Sequence, residues 1–206
     1  GHVVAMYGYD DARAYLVDTG QQGGAVTTSL GSLADARAER GPMTARNRSF
    51  TLHLPDGPPA PHDQLAPAIR ACAEEFLNPP IGNLGYRGVD KAAAQVRGWL
   101  RRSADPRKDL PQAARLMEKA GTGGALFRNL YRDFLGECAD LIDDRGLRTG
   151  HALYAEAAPL WTEVAALIAQ AGADLDPAPL TRASDILRQL SRLEHDAMVA
   201  LSGVRA

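Results

Sequence analysis

His2 and Asp18 are the residues of this chain whose types and placement suggest proton-transfer chemistry. An imidazole titrates near neutral pH and can take a proton from a thiol, while a carboxylate held against it fixes the tautomer and steadies the imidazolium. A β-hairpin would bring the two together. Residues 3–9 and 14–18 are rich in β-branched and aromatic side chains, and the aspartates of residues 10–13 favour a turn between them. The histidine opens the first run and the aspartate closes the second, so antiparallel pairing makes them neighbours. Strand side chains alternate faces, so His2 and Asp18 share a face only if the loop holds an odd number of residues. A loop of 10–12 with Tyr9 opposite Arg13 would do this, whereas a two-residue turn puts them on opposite faces. The plain alternative is a terminal histidine and a strand-end aspartate that are merely exposed polar groups.

Such a pair acts only on a nucleophile. Cys72 aligns with Ile69 and Phe76 on one helix face, and Cys138 with Phe134 and Leu141. Both are therefore expected as small core residues rather than activated thiols, and the chain alone is expected to have no thiol-dependent turnover. A second candidate site is the run Gly121, Thr122, Gly123, Gly124 between two predicted helices. Its glycines could bare backbone amides to an anion, with Arg128 one turn into the following helix as a charged partner. The favoured reading is a tight helix connection with Gly121 as a C-cap and Gly123 permitting close packing. Residues 78–88 form another loop with Tyr86 and Arg87 at its tip, explained equally by turn chemistry. Trp99 and Trp161 are expected on helix core faces. His53, His62, His151 and His195 lack ligand spacing to a second donor, so no metal is assigned.

The elements that must position these residues fall into two groups. After the hairpin, residues 19–24 read as a polar loop, and Ser29 or Ser32 caps a helix through residues 34–39 that Gly41 and Pro42 end. Residues 49–54 alternate, with Phe50, Leu52 and Leu54 on one face, and are predicted to join the hairpin sheet. A proline-rich run then breaks all periodicity. Beyond it, alanine and leucine dominate, and helices are predicted over residues 65–77, 89–102, 111–120, 123–142, 148–171 and 180–202. Phe127, Leu130, Phe134, Cys138 and Leu141 should share one core face, as should Ile186, Leu190, Leu193, Ala197 and Leu201. Pro159 should kink or break its helix. The expected fold is α+β and predominantly α: a small antiparallel sheet region in residues 1–57, a linker at 58–63, and a helical bundle in 64–206.

A chain of 206 residues can bury a substantial core. Its 23 basic and 25 acidic residues leave a net charge of −2, well mixed, which argues against a nucleic-acid surface or a polybasic membrane face. No apolar run has transmembrane length, and two cysteines without framework spacing fit a reducing cytoplasm.

The hairpin GHVVAMYGYDDARAYLVD, the run over residues 26–40, and above all EKAGTGGALFRNLYRDFLGE at residues 118–137 resemble the butirosin-biosynthesis protein H family. The papain-like domain of that family is also similar to bacteriocin-processing cysteine peptidases. The resemblance covers most of the chain and implies the C-terminal part of a papain-like domain followed by a helical domain. The activity it implies is acyl transfer from a carrier-protein thioester, through a cysteine, to an amine of a natural-product acceptor. By position, His2 would be the general base and Asp18 its orienting partner, with the cysteine upstream of both. The chain would then begin at a processing site or a cut in a longer protein, unless Gly1 and His2 are vector residues. No bound cofactor is implied. The partners would be an acyl carrier protein, presenting its phosphopantetheine as the substrate arm, and a small amine acceptor. The phosphopantetheine phosphate, or an anionic group of the acceptor, would suit the glycine loop and Arg128. A related cysteine peptidase or amide-forming enzyme on peptide substrates, and a non-catalytic scaffold, are the alternatives. The oligomeric state is open.

Overall fold

The computed structural model describes residues 3–18, 24–41, 44–53, 62–119 and 123–205. His2, Gly121 and Thr122 lie outside the described residues. The fold is α+β and predominantly α, with eight helices and one three-stranded antiparallel sheet among the described residues. The chain divides into two compact units, Gly1–Gly57 and Pro58–Ala206.

In the first unit, β1 (Ala5–Tyr9), β2 (Arg13–Val17) and β3 (Ala25–Ser29) lie in that order. The turn between β1 and β2 is built by Asp10. Its Oδ1 accepts from the amides of Ala12 (2.8 Å) and Arg13 (2.7 Å), and its own amide donates to the Arg13 carbonyl (2.9 Å). The Tyr15 hydroxyl donates to the same carboxylate and, with those two amides, holds it below the usual aspartate range. Tyr9 pairs with Ala14 rather than with Arg13, which leaves an even number of residues, 10–13, between the paired ends and favours opposite faces. A register shift between Met6 and Gly8 reverses that outcome. Tyr7 is the extra residue of a β-bulge, and beyond it Met6 pairs with Leu16 and Ala5 with Val17.

The third strand is not the predicted one. Residues 49–53 form no strand, and Phe50 and Leu52 stay 79% and 84% exposed. The alternation there is real, but a strand needs a ladder partner, and β3 occupies the free edge of β2 from Arg13↔Ser29 to Val17↔Ala25. Ser29 then caps α1 (Leu30–Ala38), its side chain accepting from the Ser32 amide at 3.0 Å. Of the described residues in this unit, Ala14 and Leu16 alone are buried hydrophobics.

The second unit comprises α2 (His62–Leu77), α3 (Gly85–Val96), α4 (Trp99–Arg102), α5 (Pro106–Lys119), α6 (Ala125–Leu141), α7 (Arg145–Asp174) and α8 (Ala178–Ser202). The two long helices form an antiparallel spine, with Leu175 in the left-handed conformation at the C-cap of α7. Gly150 lies against Leu201 near one end, and Arg182 pairs with Glu163 towards the other. Two cores flank the spine. Around its hairpin end α3 and α5 bury Val96, Leu110, Ile168 and Leu180. Around its open end α2 and α6 bury Ile69, Leu135, Leu147 and Leu201. Side chains of α8 tie down α3: Ser184 donates to the Ala93 carbonyl (2.7 Å) and Ser191 to that of Tyr86 (3.1 Å).

Pro159 neither ends nor splits α7, which runs unbroken through it. One lost amide donor is outweighed by packing along the helix, where Ala157, Ala158 and Trp161 are all buried. The 89–102 helix is instead two elements, α3 and α4. Tyr86 and Arg87 belong to the first turn of α3 rather than to a loop tip, and the Tyr86 ring meets that of His195 edge-on at 5.0 Å.

Candidate functional site

Asp18 sits just past β2, half-buried, its amide donating to the Gly24 carbonyl at 2.9 Å. Continuing the outer register of β1 and β2 sets Asp18 level with Val4, and by alternation it shares the face of Ala14 and Leu16. That face is covered by α1. Between them lies a cavity of about 560 Å³, lined by Val4, Leu16, Thr28, Leu33, Arg37 and others. The segment after α1 closes one side, where Arg37 donates to the Asn47 carbonyl (2.8 Å) and the Thr44 hydroxyl to that of Glu39 (2.6 Å). The register therefore places Asp18 at the end of the covered face, level with Val4, which lines this partly open cavity. The proposed histidine partner of Asp18 lies outside the described residues.

Of the glycine loop, Gly123 and Gly124 are described, and the Arg128 guanidinium is paired with Glu194. Gly124, at φ +83°, is pressed onto the backbone of α5: a Cβ there would meet the Met117 carbonyl oxygen at 2.6 Å. The close-packing role expected of Gly123 belongs to Gly124, and Gly123 has open space about it. The first amide of α6, Ala125, donates to Glu118 Oε1 at 3.2 Å, and Thr162 donates to the other oxygen of that carboxylate at 3.1 Å. An acidic side chain thus holds the position where an anion would sit. Arg128 points elsewhere. Its guanidinium donates in a two-pronged fashion to Glu194, at 2.7 and 3.0 Å, and lies over the Trp161 ring at 4.4 Å.

Glu194 is the residue that sequence reasoning missed. It is fully buried in the middle of α8 and also accepts from the Trp161 indole at 2.6 Å. Burial opposes the charge on Arg128, but the bonds from Glu194 more than offset it and raise the arginine's pKa. Burial, then the neighbouring Glu194, pushes the Tyr154 hydroxyl far up. Of the predicted α8 stripe, Ile186, Leu190, Ala197 and Leu201 are buried and Leu193 is half-buried, and the inward face also takes in Leu187, Glu194 and Met198. A carboxylate on a three-four spacing of apolar residues was the signal. Trp161 is a core residue as expected, and it is also the hydrogen-bond donor that fixes the carboxylate.

The α6 stripe needs correction. Leu135 and Cys138 are buried, whereas Phe127, Leu130 and Leu141 are each more than half exposed. The cysteines part company too: Cys138 is buried, with burial pushing its thiol pKa up, and Cys72 is exposed rather than a core residue. Helix α2 packs on α8 through Ala66, Ile69 and Ala73, which turns Cys72 to its flank. Among the described residues, no three His, Cys, Asp or Glu side chains converge as metal ligands, and no helix is long and apolar enough to cross a membrane.

No curated protein and no solved structure matches the chain. A family model described as Domain of unknown function (DUF4872) matches residues 31–201, from the second residue of α1 to the penultimate residue of α8. The chain therefore belongs to that family, whose match takes in α1 and the whole helical unit while leaving out the sheet.

Proposed function

We propose that this chain is part of a papain-like acyltransferase that moves an acyl group from a carrier-protein thioester to an amine acceptor in natural-product biosynthesis. The observation that carries the reading is the hairpin register. A turn of even length alone would separate the faces of its outer ends, and the bulge at Tyr7 brings the outer part of β1 back into phase, so that Val4 lies level with Asp18 on the covered face. A sheet that buries only Ala14 and Leu16 among its described hydrophobics also fits membership of a larger domain.

In this reading His2 takes the proton of a cysteine thiol supplied upstream, and Asp18 holds the imidazole in the required tautomer. The thiolate attacks the thioester carbonyl, and the departing pantetheine thiolate takes the proton back from His2. The acceptor amine then attacks the acyl-enzyme, forming the amide and releasing the cysteine thiol. The phosphopantetheine is the arm of the substrate and is not retained.

The test uses the longer coding sequence with its upstream cysteine, mixed with an acyl-pantetheine thioester and followed by intact-protein mass. His2→Ala should abolish the acyl-enzyme mass shift. Asp18→Asn should slow its formation, lowering kcat with little change in KM, because an orienting carboxylate makes no substrate contact. Unchanged acylation in the His2 variant, or an acyl group found on Cys72 or Cys138 instead, would refute the assignment.

A further inference from the structure

Between α2 and α6 the helical unit holds a shallow, widely open cavity of about 410 Å³. Phe76 and Cys72 of α2 form one wall, Phe127 and Leu130 of α6 the other, and Tyr131 and Met198 lie within it. The rings are fixed before any ligand arrives: Tyr131 stacks on Phe134 at 5.9 Å and meets Tyr154 edge-on at 4.9 Å. One atom in this apolar setting is out of place. The Tyr131 hydroxyl is buried and has no hydrogen-bond partner of ordinary geometry. The Cys72 thiol is near enough to act on it electrostatically and as a long, weak hydrogen-bonding neighbour, but a thiol in that position does not satisfy a buried hydroxyl. A buried hydroxyl left in that state is costly, and such groups commonly mark the place of a missing oxygen or nitrogen.

We propose that this cavity binds a small alkyl-aromatic molecule bearing one neutral oxygen, which pairs with the Tyr131 hydroxyl while the hydrocarbon part fills the space between Phe76, Phe127 and Leu130. The volume lies in the range of small-molecule sites, roughly 300 to 1,000 Å³, and the composition matches them: aromatic walls with few polar groups. The oxygen is neutral because the one cation among the described residues at the cavity, Arg128, is already matched by the two oxygens of Glu194. A charged ligand would have to break that pair. An apolar protein helix would cover Phe127 and Leu130 equally well, but it offers nothing to the hydroxyl.

The full chain is titrated calorimetrically with two probes matched in shape, 4-butylphenol and butylbenzene. Both should bind, the phenol about tenfold more tightly, a ratio in line with one good hydrogen bond. Tyr131→Phe should erase the difference by weakening the phenol alone, and the variant should unfold at the same temperature or higher because an unsatisfied group is gone. Phe127→Glu, at a position already 57% exposed, should weaken both probes at least tenfold without lowering the unfolding temperature. Saturating 4-butylphenol should also slow iodoacetamide alkylation of Cys72. Failure of both probes to bind below millimolar concentration would overturn the proposal. So would a phenol preference that survives in Tyr131→Phe, unaltered Cys72 alkylation, or binding of an amphipathic helical peptide in place of the phenol.

Discussion

At the hairpin end of the α7–α8 spine, α3 and α5 close over Val96, Leu110, Ile168 and Leu180, none more than 3% exposed. At the other end α2 and α6 flank the same two helices, and Phe127 and Leu130 remain more than half exposed above a floor of tyrosine rings. Between the ends Glu194 sits with Arg128 and Trp161. The contrast lies in side-chain shape and polarity. Branched aliphatics and alanines interdigitate until no space is left, and the helices they carry can approach closely. Rings braced edge-on against each other, beside a buried ion pair whose geometry is fixed, cannot collapse the same way. Stability should therefore be concentrated at the closed end and the waist, and tolerance at the open end.

That division can be broken or sharpened by substitution, with unfolding in urea as the measurement. Arg128→Ala should have the largest effect, a loss of about 3 to 5 kcal/mol, because it strands a fully buried carboxylate. Glu194→Ala should cost less, since the arginine is 19% exposed and can reach water; the reverse order would show that the pair is not organised around the acid. Next, Leu180→Ala at the closed end should cost about 3 kcal/mol through the void it leaves. Gly172→Ala should follow at roughly 2 kcal/mol, because the new Cβ would lie 2.6 Å from the Pro106 carbonyl oxygen, a backbone atom that cannot swing away. Asp144→Ala should remove about 1 kcal/mol by uncapping α7, whose Leu147 amide donates to Asp144 at 2.9 Å.

The Asp144 effect carries a pH signature. Its carboxyl titrates below the ordinary 3.8, the amides of Leu147 and Arg205 outweighing the opposing effect of burial. A depressed folded pKa stabilises fully above the unfolded value and is lost as pH falls through the folded one. The gap between the native chain and Asp144→Ala should therefore be complete at about pH 7 and shrink towards about pH 2. Smallest of all, Leu130→Ala at the open end should change stability by less than about 0.5 kcal/mol. A loss comparable to that of Leu180→Ala would mean that the cavity rim is part of the core after all.

Local patterns were readable wherever they needed no distant partner. The helical half, the hairpin and the Ser29 cap all follow from composition, spacing and turn residues. Features settled by a remote neighbour were not. β3, with the sequence AVTTS, has no alternation worth the name and exists because β2 offers it a ladder; residues 49–53 alternate well and have none. On α8 the face was legible except for Glu194, and on α6 the helix was legible while its face was not, because a stripe drawn through apolar side chains passes over a buried carboxylate and takes in the exposed Phe127. Which side turns inward depended on Trp161 and Arg128, which with Glu194 lie on three successive helices. The exposure of Cys72 depended likewise on how α2 lies on α8.

The bulge at Tyr7 makes the hairpin a phase-corrected device. The turn advances the ladder by one register and the bulge sets it back by one, so the outer half of β1 is in phase with the outer half of β2 only while both are present. Removing Tyr7 would rotate everything from Val4 to Met6 by half a turn relative to its partners, exchanging the residues that face α1 for those that face away, without changing any side chain in that segment. Lengthening the turn by one residue as well would return the outer strand to its original phase. Single insertions or deletions here should therefore act as toggles and paired ones as silent changes, so the hairpin tolerates length variation by parity rather than by size.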